Sequence, residues 1–424
     1  MNVDLIIKNA SQLLTLKGKN HPRSGQSEMN DLAIIENGAV AILNKKIVDV
    51  DSSENILKKY SSDNVIDATG KVVMPGFIDP HTHPVFFDTR ENEFEWRIKG
   101  RSYIEISQNG GGIRHSIKGV RKASEQTLYD LSKKRISNMI KNGTTTLEAK
   151  SGYGLSTESE LKMLKVIQKL NENLPIDIIP TFLGAHEFPE EYKDNHRAYL
   201  DILEKEMLPK VKEKNLAKYV DIFTEEHVFS IEESREYLKI AQEMGFKIRM
   251  HADEIKPIGG AELAGELGAI SADHLGAASD FGIKAMKENN VIATLLPGTI
   301  FSLGMKSYAR ARKMIEEGLP IALATDYNPG SCNCDNMQMV ITIATLQMKM
   351  SVAEAIIAST INAACALEIE NERGSLGKNK FADILIMDMP SYQFLPYHFG
   401  SNNVEKVIKN GKVIYEQNDL VFKQ

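Results

Sequence analysis

The feature that most constrains the fold is an alternation of short apolar runs with longer amphipathic stretches, which repeats eight times between residues 72 and 325. Each run has the length of a buried strand, and the stretches between them space their apolar residues by three or four positions, as helices do. Eight such units favour an α/β fold with a (β/α)₈ TIM barrel over an open doubly wound sheet. The predicted strands are 72–78, 144–148, 176–182, 220–223, 247–250, 269–273, 291–296 and 320–325, and the predicted helices include 128–142, 157–173, 231–244, 259–267 and 352–367.

Both ends of the chain have β character without this alternation. The Asn-Gly pairs at 37–38 and 410–411 each predict a tight turn between two strands, because a two-residue hairpin needs positive φ angles. Neither end is long enough to bury much surface alone. We therefore predict a small composite β-sandwich domain built from residues 1–70 and 371–424, with a distorted barrel of residues 71–370 inserted between its two parts.

The composition excludes several classes of protein. The 424 residues are 42% hydrophobic and 25% charged, with dispersed glycine and proline, which excludes disordered, collagen-like and coiled-coil chains. The 57 acidic and 51 basic residues leave no basic excess for nucleic acid, and no apolar run is long enough to span a membrane. Three cysteines cannot form a disulfide framework, and the first residues lack signal-peptide features. We expect a cytoplasmic protein.

Metal-binding residue types follow the predicted barrel strands. His81 and His83 come directly after the first strand, and residues two apart on an extended segment point to the same side, where both can reach one ion. His251, His274 and Asp326 end strands five, six and eight. Each residue alone has an ordinary structural explanation, such as a buried histidine or a helix cap. Together, at the strand ends where barrel enzymes place catalytic groups, they predict a metal site with an acid–base group beside it.

Several longer motifs resemble the amidohydrolase superfamily, and the resemblance covers nearly the whole chain. They are the segment 75–83, Arg90 followed by Phe94, Glu95 and Arg97, and the segments 110–113, 150–155, 181–186, 251–254 and 326–331. The resemblance implies a metal-dependent hydrolase. Within the superfamily, it implies the branch that opens the cyclic amide of 4-imidazolone-5-propanoate to N-formimidoyl-L-glutamate, the third step of histidine degradation.

The resemblance also implies the cofactor. One Zn²⁺ or Fe ion per subunit is expected, with an open position for water and with ligands from His81, His83, His251 and Asp326. A homodimer is compatible with the resemblance.

A second metal ion is not expected, because strand four carries no lysine that could form the carbamate bridge of two-metal relatives. Glu225 leaves a small opening for a second ion, and His227 is interpreted as a loop residue. Lys150 lies on strand two, which is the wrong place for the bridge.

The substrate-binding residues that the resemblance implies are Arg90, Tyr153, His186, Glu254, Asn328, Gly330 and Ser331. Arg90 suits the propionate arm, because a guanidinium group matches a carboxylate with two parallel hydrogen bonds. The alternative for Arg90 is a surface salt bridge with Glu91, Glu93 or Glu95.

Two assignments of the proton transfer are left open by the residues. Asp326 with His274 is one candidate, and Glu254, three residues beyond His251, is the other.

Two other functions compete with the cyclic-amide hydrolase. An aminohydrolase acting on a nucleobase or triazine ring would use the same metal array and release ammonia. A non-catalytic scaffold would have lost metal ligands, whereas all four candidates are present.

Overall fold

The predicted barrel is confirmed by the computed structural model, which describes residues 1–101 and 111–417, so that Gly110 of the 110–113 motif lies outside the described residues. Eight parallel strands lie side by side in chain order, and we number them barrel strands one to eight. Their bounds are Phe77–Asp79, Thr144–Lys150, Asp177–Ala185, Tyr219–Thr224, Lys247–Ala252, Ser271–His274, Ile292–Leu295 and Ile321–Leu323.

The barrel closes through the segments that follow its first and last strands. The backbone N–H of Asp326 donates to the carbonyl of His81 at 3.1 Å, and the N–H of His83 donates to the carbonyl of Tyr327 at 2.8 Å. These bonds continue the parallel pairing beyond the strands, where Thr82 forms a bridge with Tyr327. Closure of the barrel thereby places the two histidines of strand one beside the aspartate of strand eight.

Helices cover the barrel, and serine side chains begin several of them by accepting backbone N–H bonds, as Ser124, Ser156 and Ser230 do. Among the described residues, no helix has both the length and the apolarity that a membrane crossing requires. The helices on the barrel side are Glu91–Ile98, Ile113–Lys122, Glu125–Lys141, Thr157–Asn173, His196–Ile202, Leu208–Glu213, Ile231–Glu243, Gly260–Leu267, Asp280–Glu288, Pro297–Ser302, Ala311–Glu316, Met337–Met348, Val352–Ala358 and Ile361–Ala366, with a 3₁₀ turn at Glu190–Tyr192 and a π-helical segment at Leu203–Met207.

The helix predicted over 352–367 is two helices. It breaks at Ser359 and Thr360, whose hydroxyls donate to carbonyls four residues earlier in the chain. The break leaves the Ser359 carbonyl to accept the N–H of Ile78 in barrel strand one at 3.0 Å.

The run predicted as one strand over 72–78 is also divided, and its two halves belong to different sheets. Val72–Pro75 pairs with strands from both chain ends, whereas Phe77–Asp79 begins the barrel. Gly76 stands between them and packs against Thr145, so closely that a Cβ atom at Gly76 would lie 2.2 Å from the Thr145 Oγ1. The domain boundaries predicted at residues 70/71 and 370/371 stay a prediction. The strand Val72–Pro75, which falls within the predicted barrel range, pairs with the terminal strands.

The composite domain built from both chain ends is confirmed. Its strands form one continuous mixed sheet, and side chains from both ends share a buried core that includes Leu13, Val40 and Ile384. The strands are Leu5–Leu14, Ile34–Leu43, Lys46–Ser52, Val65–Asp67, Val72–Pro75, Ile384–Met387, Val404–Lys409 and Lys412–Glu416, with short helices at Gly25–Glu28, Ser53–Lys59 and Phe394–Tyr397.

Of the Asn-Gly pairs at 37–38 and 410–411, only the second makes the predicted turn. Asn410 and Gly411 have φ angles of 51° and 75° and join Val404–Lys409 to Lys412–Glu416. The turn predicted at 37–38 is wrong, because Ile34–Leu43 is one strand that passes through Asn37. The hairpin in that region turns instead at residues 44–45, both of which have positive φ.

The close packing at Gly76 predicts the effect of a single added methyl group. Gly76→Ala should destabilise the protein by about 1–3 kcal/mol, because the new Cβ forces Thr145 and the junction between the two sheets apart. The midpoint of urea unfolding, followed by circular dichroism, measures this loss. Gly377→Ala is the matched control, since its Cβ would lie no closer than 3.7 Å to a neighbour. An unchanged midpoint for Gly76→Ala would contradict the packing described.

Candidate metal and substrate site

The histidines and the aspartate at the C-terminal ends of barrel strands one, five, six and eight converge on one buried point. His81 Nε2 and His83 Nε2 lie 3.3 Å apart, and Asp326 Oδ1 lies 3.6 Å from each of them. The ring of His251 lies 4.5 Å from that of His81, centroid to centroid. Ligand atoms of His81, His251 and His274 also lie within 4.8 Å of one another. The fold thus brings together all five residues that the strand ends predicted.

Carboxylates behind the rings orient two of these histidines. His81 Nδ1 hydrogen-bonds Asp273 at 2.6 Å, and His251 Nδ1 hydrogen-bonds Asp221 at 3.2 Å. A carboxylate on Nδ1 turns the Nε2 lone pair toward the centre, which is the usual arrangement behind metal-binding histidines. Within the described residues, His251 Nε2 is buried and has no hydrogen-bond partner.

The protonation states of the first pair also fit a metal ion. Burial lowers the pKa of His81 and of His83 well below the ordinary value, so both rings are neutral near pH 7. Neutral imidazoles are the form that binds metal. Three imidazoles with one carboxylate form a donor set that suits Zn²⁺ or Fe.

An ionic network inside the barrel holds the two carboxylates in place. Lys150 Nζ donates to Glu148 at 2.6 Å and to Asp221 at 2.8 Å, and Arg249 donates to Asp273 at 3.2 Å. All five side chains are fully buried. Glu148, Asp221, Arg249 and Asp273 were not predicted from the sequence, although charged residues inside otherwise apolar strands were a signal for them.

The backbone at two of the converging residues is unusual. Asp326 and His274 have φ angles of 53° and 75°, a left-handed conformation that few residues other than glycine adopt. Such backbone strain concentrates at functional sites. The hydroxyl of Thr299 donates to Asp326 Oδ2 at 2.6 Å, which leaves Oδ1 as the atom nearest the histidines.

Both candidates for the proton transfer lie at the same wall of the site. Glu254 Oε1 is 3.6 Å from His274 Nδ1. Burial raises the pKa of Glu254 to about 7 and lowers that of His274 to about 4. Burial also raises the pKa of Asp326. The three residues therefore form one group of titratable side chains, and the pKa of Glu254 is close to neutral pH.

Tyr153 and His186 lie over the ring of His83. The His83 and His186 rings are stacked with centroids 5.2 Å apart, and the Tyr153 ring lies 5.3 Å from that of His186. His186 Nδ1 donates to the carbonyl of Gly152 at 3.0 Å, and burial lowers the pKa of His186 to about 3. The neutral ring therefore has Nε2 as a hydrogen-bond acceptor. Burial raises the pKa of Tyr153, which keeps its hydroxyl protonated.

Arg90 is paired with Glu93 and also faces the loop after strand eight. Its Nε and Nη2 donate to the two carboxylate oxygens of Glu93 at 2.9 and 2.7 Å. The alternative named Glu93 as a possible partner, and this ion pair is present; its side chains are only 12% and 7% exposed, so the pair is mostly buried and does not lie on the surface. The guanidinium lies against Gly330, where a Cβ would be 2.3 Å from Nη1.

The side chain of Asn328 shapes the loop that begins at Asp326. Its Oδ1 accepts the N–H groups of Gly330 and Ser331, both at 2.8 Å, and its Nδ2 donates to the carbonyl of Asp326 at 2.7 Å. These bonds are internal to the loop. The structure therefore places the predicted substrate-binding residues 328, 330 and 331 in one compact turn beside Arg90, and their role toward a substrate stays a prediction.

The residues considered for a second ion have other surroundings. Glu225 is buried, and one of its oxygens accepts the N–H of Ile255 at 2.9 Å. His227 is exposed. Neither belongs to the two groups of candidate metal ligands found among residues 1–101 and 111–417.

Comparison with known proteins identifies relatives over the full length of the chain. The model of the Amidohydrolase family matches residues 72–414. The imidazolonepropionase of Alkaliphilus oremlandii is 48% identical over 423 residues, which cover 99% of this chain and 100% of the relative. The imidazolonepropionase of Clostridium tetani is 49% identical over 416 residues, which cover 98% of this chain and 99% of the relative.

Solved structures with similar folds are much more distant in sequence. The 5-methylcytosine deaminase from Klebsiella pneumoniae liganded with 5-fluorocytosine superposes with a TM-score of 0.75 at 16% identity, covering 99% of both chains. The guanine deaminase of E. coli gives 0.72 at 15% identity, covering 97% of this chain and 99% of that one. At this identity the similarity shows a shared barrel with a terminal β domain.

The buried network predicts a large stability loss when its lysine is removed. Lys150→Met should destabilise the protein by about 3–5 kcal/mol, because Glu148 and Asp221 would be left buried without their cation. Urea unfolding of the metal-free protein measures the loss. Lys165→Met replaces an exposed lysine and should leave stability within about 0.5 kcal/mol of the parent. Equal stability of the Lys150 variant and the parent would contradict the role assigned to the network.

Proposed function

Because the chain belongs to the amidohydrolase family and, within it, to the imidazolonepropionases, we propose that it hydrolyses the cyclic amide C–N bond of 4-imidazolone-5-propanoate to give N-formimidoyl-L-glutamate. The observation that carries the proposal is the pairing of two features in one site. A buried cluster of imidazoles and a carboxylate suits a metal-dependent hydrolase. The guanidinium of Arg90, which lies beside the loop that begins at Asp326, suits a substrate with a carboxylate arm.

We assign the metal ligands to His81, His83, His251 and Asp326, with one Zn²⁺ or Fe ion per subunit. A bound ion would polarise the carbonyl of the substrate and lower the pKa of a water molecule. The chain contributes the orientation of the ligands, through Asp273 behind His81 and Asp221 behind His251.

The substrate would lie between the histidine cluster and the loop of residues 326–331. Tyr153 and His186 offer a hydroxyl donor and a ring nitrogen acceptor to the polar atoms of the imidazolone ring. Arg90 binds the propionate, and Gly330 leaves the space in which its guanidinium lies. The turn closed by Asn328 fixes the far wall of the site.

Of the two candidates for proton transfer, we favour Glu254. A group with a pKa near the working pH is best suited to both accept and return a proton, and burial raises the pKa of Glu254 to about 7. Glu254 would take a proton from the attacking water and return it to the ring nitrogen when the C–N bond breaks. His274, 3.6 Å away, would hold the carboxylate in position.

A cytoplasmic location and a small-molecule partner are part of the same proposal. Cys332, Cys334 and Cys365 are all free thiols, buried or partly buried, as a reducing compartment would leave them. The homodimer stays a prediction.

The activity predicts a direct assay. The purified protein should bind about one equivalent of Zn²⁺ or Fe and convert 4-imidazolone-5-propanoate to N-formimidoyl-L-glutamate, and it should lose activity on chelation and regain it when metal is restored. Substrate disappearance by absorbance and metal content by elemental analysis are the measurements. Ammonia release from a panel of nucleobase and triazine rings would indicate the competing aminohydrolase. A metal-loaded protein inert toward 4-imidazolone-5-propanoate would refute the proposal.

The role of Arg90 predicts a selective defect. Arg90→Ala should raise the KM for 4-imidazolone-5-propanoate by about 10²-fold, since a charge-assisted bidentate pair is lost, while bound metal stays near that of the parent. Steady-state kinetics and elemental analysis separate the two effects. Arg101→Ala, which removes an arginine whose guanidinium lies over the ring of Trp96, is the control and should leave KM unchanged. An Arg90 variant with the KM of the parent would remove this residue from the substrate site.

A further inference from the structure

We propose that Glu93 is a positioning residue for the substrate carboxylate, which it serves by holding the guanidinium of Arg90 in the binding orientation. This inference rests on the proposed function and extends it to a residue that the motifs did not single out as part of the site.

Among the residues that the structure describes, three hydrogen bonds hold the Glu93 carboxylate. Oε1 accepts from Arg90 Nε at 2.9 Å, and Oε2 accepts from Arg90 Nη2 at 2.7 Å. The backbone N–H of Gly112, nineteen residues along the chain, also donates to Oε1 at 2.9 Å. Glu93 is only 5% exposed. A carboxylate held by a helix and by a separate backbone segment is a rigid partner for the guanidinium.

The two hydrogen bonds from Arg90 to Glu93 come from the Nε–Nη2 edge of the guanidinium, and the Nη1–Nη2 edge can bind a second partner. Arginine presents five N–H groups, and a carboxylate on the Nε–Nη2 edge occupies two of them. The Nη1–Nη2 edge can then donate two hydrogen bonds to a second carboxylate in the same geometry. Nη1 lies against Gly330, in the loop that begins at Asp326. Glu93 thus orients the remaining edge toward the loop that bounds the site.

Glu93 has two opposing physical effects on an anionic substrate. As a clamp, it removes the rotamer freedom that Arg90 would otherwise lose on binding, and so favours binding. As a negative charge, it weakens the attraction between Arg90 and the propionate. Because the pair is buried and held by three directed bonds, we expect positioning to dominate. The sign of the change in KM on removing the charge distinguishes the two effects.

The test is the kinetics of Glu93→Gln. Glutamine is the same size but presents an NH₂ group to an N–H of Arg90 or Gly112, so the two-bond clamp is lost. The KM for 4-imidazolone-5-propanoate should rise about tenfold, with kcat within about twofold of the parent, as expected when a charge-assisted hydrogen bond is lost. The matched control is Glu95→Gln on the same helix. Within residues 1–101 and 111–417 the exposed carboxylate of Glu95 pairs with Lys99, and the KM of this variant should stay unchanged.

Two further measurements separate positioning from a general structural role. A ring ligand without the carboxylate, the propionamide analogue, should inhibit the parent and Glu93→Gln equally. In an Arg90→Ala background, Glu93→Gln should add no further rise in KM, because Glu93 acts only through Arg90.

Each outcome decides the proposal. An unchanged or lowered KM for Glu93→Gln would overturn it, and so would an equal loss of affinity for the propionamide analogue. If Glu93→Gln does not fold, Glu93→Asp replaces it, since the shorter carboxylate keeps the charge but cannot reach Arg90 and Gly112 together; a parental KM there overturns the proposal. A parent enzyme that is itself inactive toward 4-imidazolone-5-propanoate refutes the proposed function instead.

Discussion

The arrangement of the site depends on a network of buried charges in the interior of the barrel. Lys150 and Arg249 compensate Glu148, Asp221 and Asp273, and none of these side chains reaches solvent. Such groups are costly to bury unless each has a partner, so their mutual geometry is tightly determined. Because Asp221 and Asp273 in turn hold His251 and His81, the rings are oriented by the barrel core. His81 and His251, two of the proposed metal ligands, therefore have their direction set before any ion binds.

Around this centre, Asp326, His186 and Arg90 are each hydrogen-bonded to a group outside the histidine cluster. Thr299 holds Asp326, the carbonyl of Gly152 holds His186, and Glu93 holds Arg90. The loops at the strand ends can supply the reactive groups because rigid partners restrict their freedom. The two parts of the site differ in their chemistry as well as in their position. In the proposed function, the histidine cluster serves the reacting carbonyl and the Arg90 guanidinium serves the distant carboxylate.

Much of the architecture was predictable from short-range patterns in the sequence. The predictions that were wrong failed for local physical reasons. Barrel strands and the helix Thr157–Asn173 were found because apolar periodicity reports burial directly. The strand predicted over 72–78 is two strands, since apolar periodicity cannot show that Gly76 changes sheets. Asn410-Gly411 makes a hairpin and Asn37-Gly38 does not, because the pairing of the long strand Ile34–Leu43 overrides the local turn preference. Strand-end histidines were predictable from residue type and position alone.

The sequence by itself determined the barrel, the composite terminal sheet and the set of residue types able to bind a metal and an anion, because these follow from periodicity and from chemistry at strand ends. Only the tertiary structure decided which carboxylates bind the Nδ1 atoms of His81 and His251, and that Glu93 is the carboxylate that pairs with the Arg90 guanidinium. The physical reason is that hydrogen bonds and buried ion pairs join residues far apart in the chain, as between Lys150 and Asp221. Their partners are fixed by packing, and no local pattern in the sequence records that choice.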